Sequence, residues 1–165
     1  MKISLNRVRD GKNAEFRFSY DLDFGGLLCS FDRPFKKPVH VSGILEERAD
    51  VASVSLSIDA PVETSCARCA KEIHFTHHTD ADYMVSEEKP ADENDDTVVY
   101  AKNGELDVDE IAKTALLLSM DMVYLCKEDC KGLCSKCGAD LNEGPCECKK
   151  EIDPRIQKLQ DLLDK

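Results

Sequence analysis

The chain has 165 residues, 42% of them hydrophobic, with nine cysteines, no tryptophan and a formal net charge of -11. That length and apolar content suit one domain with a real core, alone or with a small appendage. A net charge this negative disfavours general, non-specific binding to nucleic acid, and no apolar run reaches the roughly eighteen residues of a spanning helix.

The N-terminal stretch MKISLNRVRDGKNAEF carries no apolar run of signal-peptide length. The expected compartment is therefore the cytoplasm. In such a reducing setting, cysteines imply metal or thiol chemistry rather than a disulfide framework. The charge is concentrated: residues 80–121 hold thirteen acidic side chains against three lysines, which is -10 of the total of -11. The rest of the chain is nearly neutral, so repulsion of a polyanion is a local property.

Residues 3–5 read as a short edge strand. In residues 15–24, Phe16, Phe18, Tyr20, Leu22 and Phe24 alternate with polar partners, the period of a strand with one buried face. Pro34 and Pro38 bracket a basic connection with Arg33, Lys36 and Lys37. Residues 39–45 form a further strand, with Gly43 as a candidate bulge. In the next, Val54, Leu56, Ile58, Ala60 and Val62 share one face, while Ser53, Ser55, Ser57, Asp59 and Pro61 share the other. Pro61 belongs at a strand end or sheet edge.

Cys66 and Cys69 follow directly, then alternation resumes at Ile73, Phe75 and His77. The pattern predicts an antiparallel hairpin tipped by Cys-x2-Cys. His74, His77 and His78 read as alternating strand positions, with no carboxylate partner that the sequence can assign. Residues 86–97 read as a solvated acidic loop, and 97–102 as a short strand before an Asn103-Gly104 turn.

Asp107 as N-cap with Glu110 three residues later predicts a helix over about 108–120. Ile111, Ala115, Leu118 and Met122 form its expected apolar stripe, widened by Leu116 and Leu117. Asp153-Pro154 predicts a short C-terminal helix, with Ile156, Leu159, Leu162 and Leu163 as its apolar side.

Between these helices, residues 126–148 hold six of the nine cysteines as Cys126-x3-Cys130, Cys134-x2-Cys137 and Cys146-x-Cys148. With Cys66 and Cys69 this makes four close pairs, enough for two tetrahedral four-thiolate zinc sites. Loop closure favours Cys134, Cys137, Cys146 and Cys148 as a local site. Cys126 and Cys130 would then join Cys66 and Cys69, clipping the hairpin tip to the end of the long helix. A rival pairing joins Cys66, Cys69, Cys134 and Cys137 in a ribbon. Closed four-thiolate sites are structural rather than catalytic, and each zinc is worth on the order of 10 kcal/mol of folding energy. The Cys-x2-Cys spacing also occurs in thiol redox pairs, but those open a helix in a βαβ unit, and here Cys66 lies between strands. Cys29 is unpaired and reads as a small hydrophobe.

The order of these motifs resembles the bacterial YceD family, the large ribosomal RNA subunit accumulation proteins. The resemblance rests on Cys66-Ala67-Arg68-Cys69, Gly132-Leu133-Cys134, Cys137-Gly138, Leu141-Asn142 and Asp153-Pro154-Arg155, and covers about residues 40–163. It implies a cytosolic, non-enzymatic factor needed for normal 23S rRNA levels, with a large-subunit ribosomal protein or the 23S rRNA precursor as partner. Arg33, Lys36, Lys37, Lys131 and Lys136 are the candidate RNA contacts, and residues 80–110 the candidate surface for a basic protein. The competing readings are a thiol- or zinc-dependent enzyme and an acidic protein-interaction adaptor.

The expected fold is α+β: an antiparallel sheet or partly closed barrel of about six strands, one amphipathic helix against it, a zinc-knuckle segment and the C-terminal helix. Residues 1–125 would form the core, and 126–165 would pack on it. No small-molecule substrate is expected.

Overall fold

The structure is a computed structural model that describes residues 1–9, 15–28, 33–49, 51–89 and 97–148. Cys29, most of the acidic loop and the expected C-terminal helix lie outside the described residues.

The architecture is α+β, with a mixed sheet where an antiparallel one was expected. Strands β2 (Glu15–Leu22), β3 (Val39–Arg48), β4 (Val51–Ser65), β5 (Glu72–Ser86) and β6 (Val98–Tyr100) form one sheet in the order β2-β3-β4-β5-β6. The first four pair antiparallel. The last, β6, runs parallel to β5, with Met84 opposite Val98 and Ser86 opposite Tyr100. A second, two-stranded sheet pairs β1 (Lys2–Ser4) with β7 (Glu105–Asp107). A short helix, α1 (Asn6–Arg9), and a longer one, α2 (Val108–Ser119), complete the described elements.

The alternation in β4 fixes which sheet face meets the core. Val54, Leu56, Ile58, Ala60 and Val62 are all buried and face Val41, Leu45, Phe18, Phe35 and the buried residues of α2 in one cluster. Burying a side chain of this size contributes about 1.5–3 kcal/mol, so this face dominates the stability of the sheet.

Gly43 is not a bulge: the ladders run through it, opposite Phe18 on one side and Leu56 on the other. Glycine is required there by space. A Cβ would lie 2.5 Å from the Ser55 carbonyl oxygen, 2.6 Å from Phe18 and 2.9 Å from Leu56. Pro61 lies past the end of the β3 ladder, so its missing N–H leaves no broken pairing on that side. That edge is covered instead by the connection before β3, whose Pro34 carbonyl accepts the Glu63 amide at 2.9 Å.

Helix α2 begins at the expected place, but its cap and its phase differ from expectation. Asp107 makes no side-chain capping bond. Asp109 in the first turn instead accepts the Met1 ammonium and, at 2.8 Å, the Tyr20 hydroxyl. The buried residues are Val108, Ala112, Ala115 and Leu116, whereas Leu118 and Met122 of the expected stripe are 71% and 82% exposed. The helix stops at Ser119, and Met120 is already extended.

The two longest strands, β4 and β5, pair from Ala52↔Val85 to Ser65↔Glu72. At 15 residues each and about 3.4 Å per residue, the hairpin is about 50 Å long. Its outer half extends beyond β3 and carries the first cysteine pair at its tip.

Candidate metal centre

At the hairpin tip the chain turns through residues 66–71. The Cys66 amide donates to the Lys71 carbonyl at 2.8 Å, and the Ala70 amide to the Cys66 carbonyl at 2.9 Å. This closes a knuckle that points Cys66 and Cys69 the same way. The segment after α2 lies alongside it: Tyr124 packs on Phe75 with ring centroids 5.1 Å apart, and its carbonyl accepts the Ala67 amide at 2.9 Å. These contacts deliver Cys126 and Cys130 to Cys66 and Cys69.

The four sulfurs of Cys66, Cys69, Cys126 and Cys130 lie within 4.8 Å of one another, as do those of Cys134, Cys137, Cys146 and Cys148. The structure thus brings together the local set and the tip set, and not the rival ribbon. Three sulfur pairs stand at 3.7, 3.5 and 3.4 Å. A disulfide needs about 2.05 Å, whereas a tetrahedral zinc with sulfurs at about 2.3 Å sets them about 3.8 Å apart. All eight of these cysteines are free thiols. Cys66, Cys69 and Cys130 are buried, and the second set is more open.

The electrostatics fit a cation in each set. Burial pushes the Cys66 thiol up, but the amides of Cys126, Cys69 and Arg68 outweigh it and bring it to about 6. Burial and the neighbouring thiols push Cys126 up to about 12. In the second set the Cys137 and Lys136 amides hold Cys134 at about 6, while Cys137 and burial push Cys148 up to about 12. In each set one thiol is held low and another is pushed up by its neighbours, as in any close group of thiols that resists carrying several negative charges at once, and four such sulfurs could hold a metal ion. With four sulfur donors and no carboxylate or imidazole, both sets suit a soft-ligand metal such as zinc.

The candidate nucleic-acid residues are arranged less favourably. Lys36 and Lys37 both pair with Glu63, at 3.4 and 3.2 Å, and these two lysines hold its carboxyl below the usual range. Lys131 and Lys136 are exposed beside the second cluster, and Arg33 is exposed before β3. Both groups sit toward the hairpin tip, the first tied to Glu63 and the second to the knuckle through the Leu133 amide on the Arg68 carbonyl. The acidic segment is divided: Asp80 and Asp82 stand on the outer sheet face, while Asp107, Asp109 and Glu110 stand at the start of α2.

Two of the three strand histidines have carboxylate partners. His78 donates to Asp59 at 2.8 Å and to Asp80 at 3.2 Å, and its imidazole is raised, chiefly by Asp59. His74 lies 3.7 Å from Glu72, and His77 bonds Ser119 of α2 at 2.9 Å. Asp21, His40, Asp59 and His78 are register partners in succession across β2, β3, β4 and β5, giving an exposed row in which carboxylates and imidazoles alternate. Two residues at the clusters escape a reading based on cysteines alone, Arg68 and Asn142. Arg68 donates to the Cys130 carbonyl at 2.8 Å, and the Asn142 amide contacts the Cys130 sulfur at 3.5 Å. Both stand in the motifs that carry the family resemblance, but nothing in the cysteine spacing gave either a role at the sulfurs.

Fold and site together define a small α+β sheet protein with two four-cysteine clusters able to hold metal ions. The model of the family described as large ribosomal RNA subunit accumulation protein YceD matches residues 54–163, and the chain belongs to that family. An uncharacterized protein of Mycobacterium leprae is 28% identical over 136 residues, which is 76% of this chain and 59% of that protein. One from Mycobacterium tuberculosis is 26% identical over 129 residues, or 72% and 59%. The chain thus spans 59% of the length of these mycobacterial relatives. The chloroplastic YCED homolog 1 of Arabidopsis thaliana is 36% identical over 47 residues, covering 28% of this chain and 15% of that protein. No solved structure matches. The family is named for RNA accumulation rather than for a catalytic activity. Among the described residues no helix is long and apolar enough to cross a membrane.

Proposed function

We propose that this chain is a non-enzymatic, cytoplasmic ribosome-biogenesis factor that supports 23S rRNA accumulation and large-subunit assembly. The family match across residues 54–163, which include all eight clustered cysteines, carries this reading. Zinc, held by Cys66, Cys69, Cys126 and Cys130 and by Cys134, Cys137, Cys146 and Cys148, supplies structural cross-linking when bound. Four sulfur donors leave no open position for water, which argues against a hydrolytic role. The chain's own residues clamp the hairpin tip to residues 126–148 and so present a rigid end to a partner.

The partner is a large-subunit ribosomal protein or the 23S rRNA precursor, and charge favours the protein. The lysines before β3 are already paired with Glu63, whereas Asp82, on the outer sheet face, is exposed. Depletion of the protein in its host, followed by quantification of 23S rRNA and large-subunit particles, tests the reading. A loss of both is expected, and unchanged levels would sink it. Crosslinking in the same cells distinguishes a ribosomal protein from RNA as the direct contact.

A further inference from the structure

The two clusters are separated by three residues of chain, 131–133, and each is braced by the other's loop. We propose that Asn142 couples them, so that the two metal ions load cooperatively; this rests on the reading of the clusters as metal sites. Asn142 lies in the loop between Cys137 and Cys146 of the second cluster, yet its side chain serves the first. Its amide oxygen accepts the Lys131 backbone N–H at 2.9 Å. That fixes the orientation of the amide, because a backbone N–H needs an acceptor. The amide nitrogen then donates to the Cys130 sulfur at 3.5 Å and to Asp140 Oδ1 at 2.7 Å. Asp140 also accepts the Asn142 backbone amide at 2.8 Å, so the side chain is held by Asp140 of its own loop on one side and by Lys131 and Cys130 on the other.

The bracing also runs the other way. Arg68, between Cys66 and Cys69 of the first cluster, accepts the Leu133 amide at 3.1 Å, one residue before Cys134. The Gly132 carbonyl accepts the Leu141 amide at 2.9 Å. Gly132 has φ +73, and a Cβ there would lie 2.9 Å from the Arg68 carbonyl oxygen, so the crossing is as close as backbone allows. A metal in the second cluster orders the loop that carries Asn142, and the ordered Asn142 orients and stabilises a thiolate of the first. Hydrogen bonds that orient metal ligands are worth about 10- to 100-fold in affinity. By linkage, whatever factor the second metal lends the first is returned equally.

The test uses the full chain, titrated with substoichiometric zinc and read by native mass spectrometry. It is paired with chelator competition and with cadmium-113 NMR of the cadmium-loaded protein. The wild-type chain is expected to show metal-free and two-metal species with little one-metal form. Asn142→Ala should populate a one-metal species filled at the second cluster, shift the cadmium resonance of the first, and weaken the first site about tenfold or more. The double variant Cys134→Ser/Cys146→Ser, which disables the second cluster with Asn142 intact, should weaken the first site by a similar factor. A statistical mixture in the wild-type chain, or a first-site affinity unchanged in both variants, overturns the coupling while metal binding stands. A wild-type chain that takes up no zinc overturns the metal reading and the coupling together.

Discussion

Gly43 has no room for even a methyl group between Phe18, Leu56 and the Ser55 carbonyl. Gly43→Ala should therefore cost about 1–3 kcal/mol, as overpacking of a core does, read as a lower denaturant midpoint with an unchanged slope. A cost near zero would mean that the strands part there easily. His78 offers a second test on the opposite face of the sheet. Its raised imidazole is charged alongside Asp59 and Asp80, so the stabilisation from this pairing is fully present below the ordinary histidine value. It is lost as pH rises through the raised one. Asp59→Asn should bring the His78 titration down toward its ordinary value in an NMR titration of the ring protons. An unchanged midpoint would assign the shift to Asp80 alone.

At the scale of elements, the phase of α2 is the sharpest point of difference. Leu116, Leu117 and Leu118 are consecutive, and a run of three apolar residues cannot say which of them faces the core. The sheet decides: Leu116 is fully buried and Leu118 is 71% exposed. Leu116→Ala should cost about 2–5 kcal/mol, and Leu118→Ala should fall within about 0.5 kcal/mol of zero. Thermal melts of the two variants separate these phases directly. The hairpin of β4 and β5 was readable in advance because a period of two over many residues has one solution. The row from Asp21 to His78 was not, since it exists only once three separate ladders have their registers. Short strands are expected near β1 and β6, at 3–5 and 97–102, but three residues carry no period that names a partner, and β7 reads only as the approach to the helix.

At the scale of the molecule, the cysteine sets were legible from spacing and loop length, and the bracing between them was not. Chelator treatment should release two zinc ions per chain. It should abolish the ordered amide signals of residues 126–148, a segment with few buried apolar side chains to replace the metal, while the sheet signals persist. Release of one ion, or loss of the sheet together with the clusters, would contradict this division of stability. The thiols of the first cluster meet across 64 and 57 residues of chain, so this closure comes late by the measure of contact order. During synthesis the hairpin can form as soon as residue 86 is clear of the ribosome, but its knuckle then waits for Cys126, Cys130 and finally Asn142. A chain cut short between β6 and Cys126 would carry a complete five-stranded sheet with an open tip, and only a chain that has passed residue 148 can close both clusters.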